Sequence, residues 1–145
     1  MKKSIFLVKV FVIYFFITSI GTGKETGYLK EGIKLFQKKE FEKSKILFER
    51  DIVYNPKSEK SYLYLAKIFS KNENDEEEEI NLNSVLLLNP QNEEAIYMLA
   101  LLKIKKSDYI QAKKLIEKFS LVCSSICSKK VKIEEKLEKL SPQNE

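Results

Sequence analysis

A periodicity of about 34 residues constrains this chain more than any other feature. The segments 51–56 and 85–90 both close on Asn-Pro, so that Pro56 and Pro90 stand one period apart. At the same offset Tyr28 meets Tyr62 and Ile96, and Leu29 meets Leu63 and Tyr97. Gly32, Ala66 and Ala100 form a column of small residues, while Phe48, Leu82 and Ile116 form a column of large apolar ones. Phe41 meets Tyr109 two periods later. Several columns in register at one offset mean stacked units, each unable to bury its own apolar face alone.

Within a period the pattern is helical. Tyr28, Leu29, Gly32, Ile33, Leu35 and Phe36 recur at spacings of three and four, and a polar break follows at 37–40. Phe41, Ser44, Phe48 and Ile52 then continue at helical spacing until Asn55-Pro56, where proline ends the second helix. The small column lets two antiparallel helices approach closely, with aromatic and aliphatic side chains filling the flanks. Only four Gly and three Pro argue against a turn-rich β fold or a Gly-rich phosphate loop. A hydrophobic content of 43% is enough for a packed core.

These columns resemble the tetratricopeptide repeat family. Tyr28, Gly32, Leu35, Phe41, Ser44, Phe48 and Pro56 match its pattern in the first repeat; Tyr62, Leu65, Ala66, Phe69, Leu82 and Pro90 match in the second; Leu99, Ala100, Tyr109 and Ala112 match in the third. The resemblance implies an all-α solenoid of three repeats over 25–124 (roughly 25–58, 59–92 and 93–126), a capping helix over 127–140 and a short tail, 141–145. Some positions depart from the pattern. Glu31 and Asp51 stand where the family has Leu and Ala, as expected of a first repeat whose outer face lacks a neighbour. Glu78 replaces a small residue between paired helices, and Ser124 replaces the terminal Pro of the third repeat.

Residues 1–23 have a different character. Lys2, Lys3 and Lys9 precede an apolar run, 10–17, which gives way to Thr18-Ser19-Ile20-Gly21-Thr22-Gly23, and no acid occurs before Glu25. A basic start, a short apolar stretch and small residues form the order of a secretory signal, with cleavage expected after Gly21 or Gly23. The alternative is an uncleaved anchor, although the run from Val10 to Ile20 falls short of the roughly 20 residues that span a bilayer. Either reading exports the chain, to the periplasm or the exterior. Removal of 1–21 takes away three Lys and no acid, so the net charge falls from +5 to +2. Basicity then says little about partners. Arg50 is the only Arg, which equips the chain poorly for specific nucleic-acid readout, and no nucleic-acid partner is expected.

Little in the sequence is suited to catalysis. There is no His, which removes His-dependent triads, metal ligands and proton shuttles. The acidic run 73–79 reads as a helix start, capped by Asn74 or Asp75 and favoured by the helix dipole, in preference to a cation site. Cys123 and Cys127 fall at the end of the third repeat. A disulfide joining that repeat to the capping helix is the first reading, two buried thiols the second and a redox pair the third. No enzyme activity, cofactor or metal is expected.

The resemblance places the working surface on the concave face, built from the first helix of each repeat. Carried onto this chain it comprises Leu29, Ile33 and Phe36; Leu63, Tyr64, Lys67 and Lys71; and Tyr97, Met98, Leu101, Ile104 and Lys105. Such a groove would take an apolar or amphipathic protein segment, with Lys67 and Lys71 meeting its acids. Relatives that clamp a C-terminal carboxylate use Lys and Asn where this chain has Leu29 and Ile33, so that subclass is not expected. Self-association, or filling of the groove by 128–140, is the competing expectation. The expected role is thus an exported adaptor, with a periplasmic redox or metal-handling protein using Cys123 and Cys127 as the alternative.

Overall fold

Short polar breaks cut the chain into pairs of helices too closely joined to be anything but antiparallel. A computed structural model describes residues 26–141, and the candidate signal or anchor, 1–23, lies outside them. Among the described residues seven helices follow one another: α1 (Gly27–Gln37), α2 (Phe41–Tyr54), α3 (Glu59–Lys71), α4 (Asp75–Leu88), α5 (Glu93–Lys105), α6 (Tyr109–Val122) and α7 (Lys129–Leu140). No strand occurs among the described residues. The pairs α1/α2, α3/α4 and α5/α6 each occupy one period, and α7 packs on α6 and α5 at the end of the stack.

Each boundary has a local chemical cause. Thr26, Asn74, Asn92 and Asp108 cap α1, α4, α5 and α6 by accepting the N–H of Leu29 (3.2 Å), Glu77 (3.2 Å), Ala95 (2.8 Å) and Gln111 (3.1 Å). Two residues past the first helix of every pair stands a residue in the left-handed region, Lys39 (φ 63°), Glu73 (φ 56°) and Ser107 (φ 60°), again at the same place in each period. The N–H that follows each reaches back to a carbonyl of the last turn: Glu40 to Leu35, Asn74 to Phe69 and Asp108 to Lys103, at 2.8–3.0 Å. These reversals satisfy carbonyls that the helix end would leave unpaired.

Three continuous apolar clusters run along the stack. Leu29, Phe48, Leu65 and Ile68 join the first two repeats. Ala66, Leu82, Val85, Ala95, Leu99 and Leu102 join the second and third. Ala100, Ile104, Ala112, Ile116 and Ile133 join the third to α7, so the capping helix closes a core that would otherwise end in water. Asp51 corrects the expectation of an outward-facing departure. Its carboxylate is fully buried and accepts the hydroxyls of Thr26 and Ser61, tying α1 and α3 to α2. Glu78 is accommodated between α3 and α4. Burial raises its pKa, and a hydrogen bond from Ser70 works in the opposite direction.

Candidate functional site: the face of the first helices

Helices α1, α3 and α5 lie side by side, and a shallow depression of about 420 Å³ crosses all three. Phe36 lines it from α1; Lys67, Ser70 and Lys71 from α3; Glu94 and Met98 from α5. Among the described residues, none of α7 lines it. The Phe36 ring is held from behind by edge contacts with Phe41 (5.3 Å between centroids) and Tyr64 (5.0 Å). Lys67 crosses to the next repeat and pairs with Glu94 at 2.9 Å, its ammonium also lying 5.0 Å from the Tyr64 ring centre. Lys71 rests 5.2 Å from the Phe41 ring centre and is exposed. The surface therefore combines an aromatic ring, a thioether and one exposed ammonium, with a second cation held by a carboxylate. No cluster of three or more His, Cys, Asp or Glu able to hold a metal occurs among the described residues.

The twelve residues expected to line a groove separate into groups. Phe36, Lys67, Lys71 and Met98 meet at the depression. Leu101 and Lys105 line a neighbouring hollow with Met98, Glu78 and Lys136 of α7, and Lys105 is bound to Asp75 at 2.6 Å. Ile33 and Leu63 are half-buried against the inter-repeat core. Tyr97 packs on Phe119 and lies under the ammonium of Lys129, so α7 covers this end of the face. Leu29 and Ile104 do not belong to the groove. Both are buried, Leu29 against Phe48 and Ile104 against Ala112 and Ile133, because the second helix of the pair and α7 close over them. Tyr64 is also mainly a packing residue, stacked on Phe48 at 5.0 Å. Ser70 and Glu94 line the site and were absent from the expected set. Ser70 could have been found from its place three residues after Lys67 on the same helix face.

The acidic run does more than start a helix. Glu79 receives both Lys103 and Lys106, and these contacts hold its pKa below the usual carboxylate value. Together with Asp75–Lys105 they fasten α4 to the end of α5. At the opposite end of the helices, Cys123 and Cys127 are joined as a disulfide with Cα atoms 5.2 Å apart. Glu93 sits beneath the disulfide loop and accepts the Ser125 hydroxyl and the N–H groups of Ser124 (2.6 Å), Ser125 (3.1 Å) and Ile126 (3.5 Å). Those donors pull its pKa from 4.5 to about 2.

Three solved structures share this arrangement. The first TPR of Spaghetti (RPAP3), bound to an HSP90 peptide, superimposes with a TM-score of 0.72 at 13% identity, over 85% of this chain and 98% of that one. The fold is that of a tetratricopeptide repeat domain. The type III secretion chaperone SycD of Yersinia enterocolitica, in complex with a peptide of the translocator YopD, shares the tetratricopeptide fold at TM-score 0.68 and 10% identity, over 78% of this chain and 88% of that one. The Sgt2 TPR domain from Aspergillus fumigatus aligns at TM-score 0.68 and 19% identity, over 86% and 88%. No protein-family model and no curated protein sequence matches the chain. In tetratricopeptide terms, the depression lies on the first helices of all three repeats.

Proposed function

We propose that this chain is an exported tetratricopeptide adaptor that holds a protein partner through an apolar or amphipathic segment and performs no catalysis. The observation that carries the reading is the depression shared by α1, α3 and α5. Phe36 and Met98 offer it apolar contact and Lys71 offers an exposed ammonium for an acid on the segment. Two neighbours of the same fold, at 13% and 10% identity, are in complex with peptides, which supports a peptide as the ligand class. Export rests on the order of residues in 1–23. A photoreactive amino acid at Met98 or Lys71, compared with one at Glu49 on α2, tests the reading in the producing cell. Cross-links specific to 98 and 71, mapped to a segment with one apolar face, are expected; identical products from all three positions, or none, would sink it.

The alternative, a redox protein, rests on the Cys123–Cys127 disulfide, whose Cys127 is exposed. Replacing both cysteines by serine separates the readings. The adaptor keeps its cross-links at somewhat lower stability, whereas a redox protein loses its function outright.

A further inference from the structure

The two ends of the helix pairs are chemically unlike. The turns inside each pair, 38–40, 72–74 and 106–108, contain six charged residues out of nine. The turns that follow each pair, 55–58, 89–92 and 123–128, contain one, Lys57. Bordering this second set is a column of aliphatic side chains at the penultimate position of α2, α4 and α6: Val53, Leu87 and Leu121, exposed to 76%, 84% and 86%. Tyr54 beside them is 70% exposed and Leu88 is also exposed. Aliphatic residues so open to water, repeated once per period along one edge, form an apolar border of the kind that marks a contact surface.

Three carboxylates near this edge are turned inward. Glu59 accepts the side-chain amides of Asn89 (3.0 Å) and Asn92 (2.5 Å), Glu93 accepts the donors of the disulfide loop, and Asp51 is buried. What remains outward is aliphatic side chain, a tyrosine and the basic side chains of Arg50, Lys57 and Lys60, with Glu49 and Glu117 exposed one helical turn back from the edge. The chain preceding the described residues also joins the domain here. Thr26 bonds to Asp51 in the last turn of α2, and Tyr28 stacks on Tyr54 at 5.5 Å. In the sequence the apolar run 10–17 precedes Thr26 by eight residues.

We propose that this edge lies against a lipid bilayer, with residues 1–23 retained as the tether. Val53, Leu87 and Leu121 enter the boundary between headgroups and acyl chains, Tyr54 takes the interfacial place that suits a ring with a polar tip, and Lys57 meets anionic headgroups. Among the described residues no helix is long and apolar enough to cross a membrane, so the domain rests on the surface and only the N-terminal segment enters it. The depression on α1, α3 and α5 uses none of these side chains and stays available to a partner.

The test uses the full chain in phosphatidylethanolamine–phosphatidylglycerol vesicles containing lipids that carry a fluorescence quencher. The native cysteines are bonded to each other, so a maleimide dye attaches only at an introduced cysteine. Dyes at Val53→Cys and Leu87→Cys report the edge. A dye at Ile110→Cys reports an equally open aliphatic position (73% exposed) at the opposite end of the helices, about 20 Å away. The first two should lose most of their emission to the lipid quencher and the third should keep it. Equal quenching at all three sites, or none, overturns the proposal. So does shielding of 53 and 87 that follows protein concentration and ignores lipid, which would mark a second copy. Intact mass of the chain from the producing cell's membranes provides the second readout: retention of residues 1–23 supports the tether, and a chain beginning at residue 22 or 24 overturns it. Each of these outcomes leaves the cross-links at Met98 unaffected, so failure here is distinguishable from failure of the groove.

Discussion

Gly32 lies so close to the Phe48 ring that a Cβ at position 32 would stand 2.7 Å from Phe48 Cε1 and 3.0 Å from Cδ1. Phe48 is fully buried, with stacking contact to Tyr64 on its other face, so the ring has nowhere to retreat. Gly32→Ala should therefore destabilise the fold: overpacking costs about 1–3 kcal/mol, against a helix-propensity gain of about 1 kcal/mol. Gly27, in the first turn of the same helix, has nothing within 4 Å of the equivalent position. Gly27→Ala should be neutral or stabilising by up to about 0.5 kcal/mol. Urea denaturation of the two variants should show midpoints moving apart, and a shared direction would refute the close-approach argument.

Asp51 occupies a position where the fold family ordinarily has alanine, yet reverting it should do harm. Asp51→Ala leaves the buried Ser61 hydroxyl and the half-buried Thr26 hydroxyl without their acceptor, a loss of about 1–3 kcal/mol. Adding Ser61→Ala should recover part of that loss, because one stranded donor is removed with its partner. Additive losses in the double variant would contradict a shared network.

The Glu93 clamp makes a pH prediction with a definite sign. The folded carboxyl titrates at about 2 and the unfolded one near 4.5, so its contribution is complete above the unfolded value and disappears as pH falls towards 2. Wild type should exceed Glu93→Gln in thermal midpoint at pH 7, and the two should converge as the pH approaches 2. A gap that persists unchanged at low pH would assign the difference to packing.

Lys39 holds a left-handed backbone conformation with a side chain that is exposed. Glycine accepts that conformation without the roughly 1–2 kcal/mol that a Cβ adds, though it is more disordered when unfolded. Lys39→Gly should raise stability by about 0.5–1 kcal/mol, measured by chemical denaturation. A loss would mean that the lysine makes a contact of its own.

The helical pairs were legible because their causes are local or recur. The apolar spacing from Tyr28 to Phe36, the stops at Pro56 and Pro90 and the small–large columns all return from one period to the next. The reversals at Lys39, Glu73 and Ser107 recur just as regularly, but none is Gly or Asn, the residues that would have advertised a left-handed conformation. The site was legible only in part. Phe36 and Leu29 have the same character in the sequence and the same helix, yet one lines an open depression and the other is sealed by Phe48, Leu65 and Ile68.

By itself, then, the sequence determined the period, the number of helix pairs and the stretch of chain that each occupies, since hydrophobic spacing and proline act over a turn or two. The tertiary structure decided which side chains the stack closes over. It also set the partners of Asp51, Glu79 and Glu93, which lie far from them along the chain: Thr26, Lys103 and Ile126. Burial and ion pairing depend on what stacking brings alongside, and that neighbourhood does not exist until the repeats have packed.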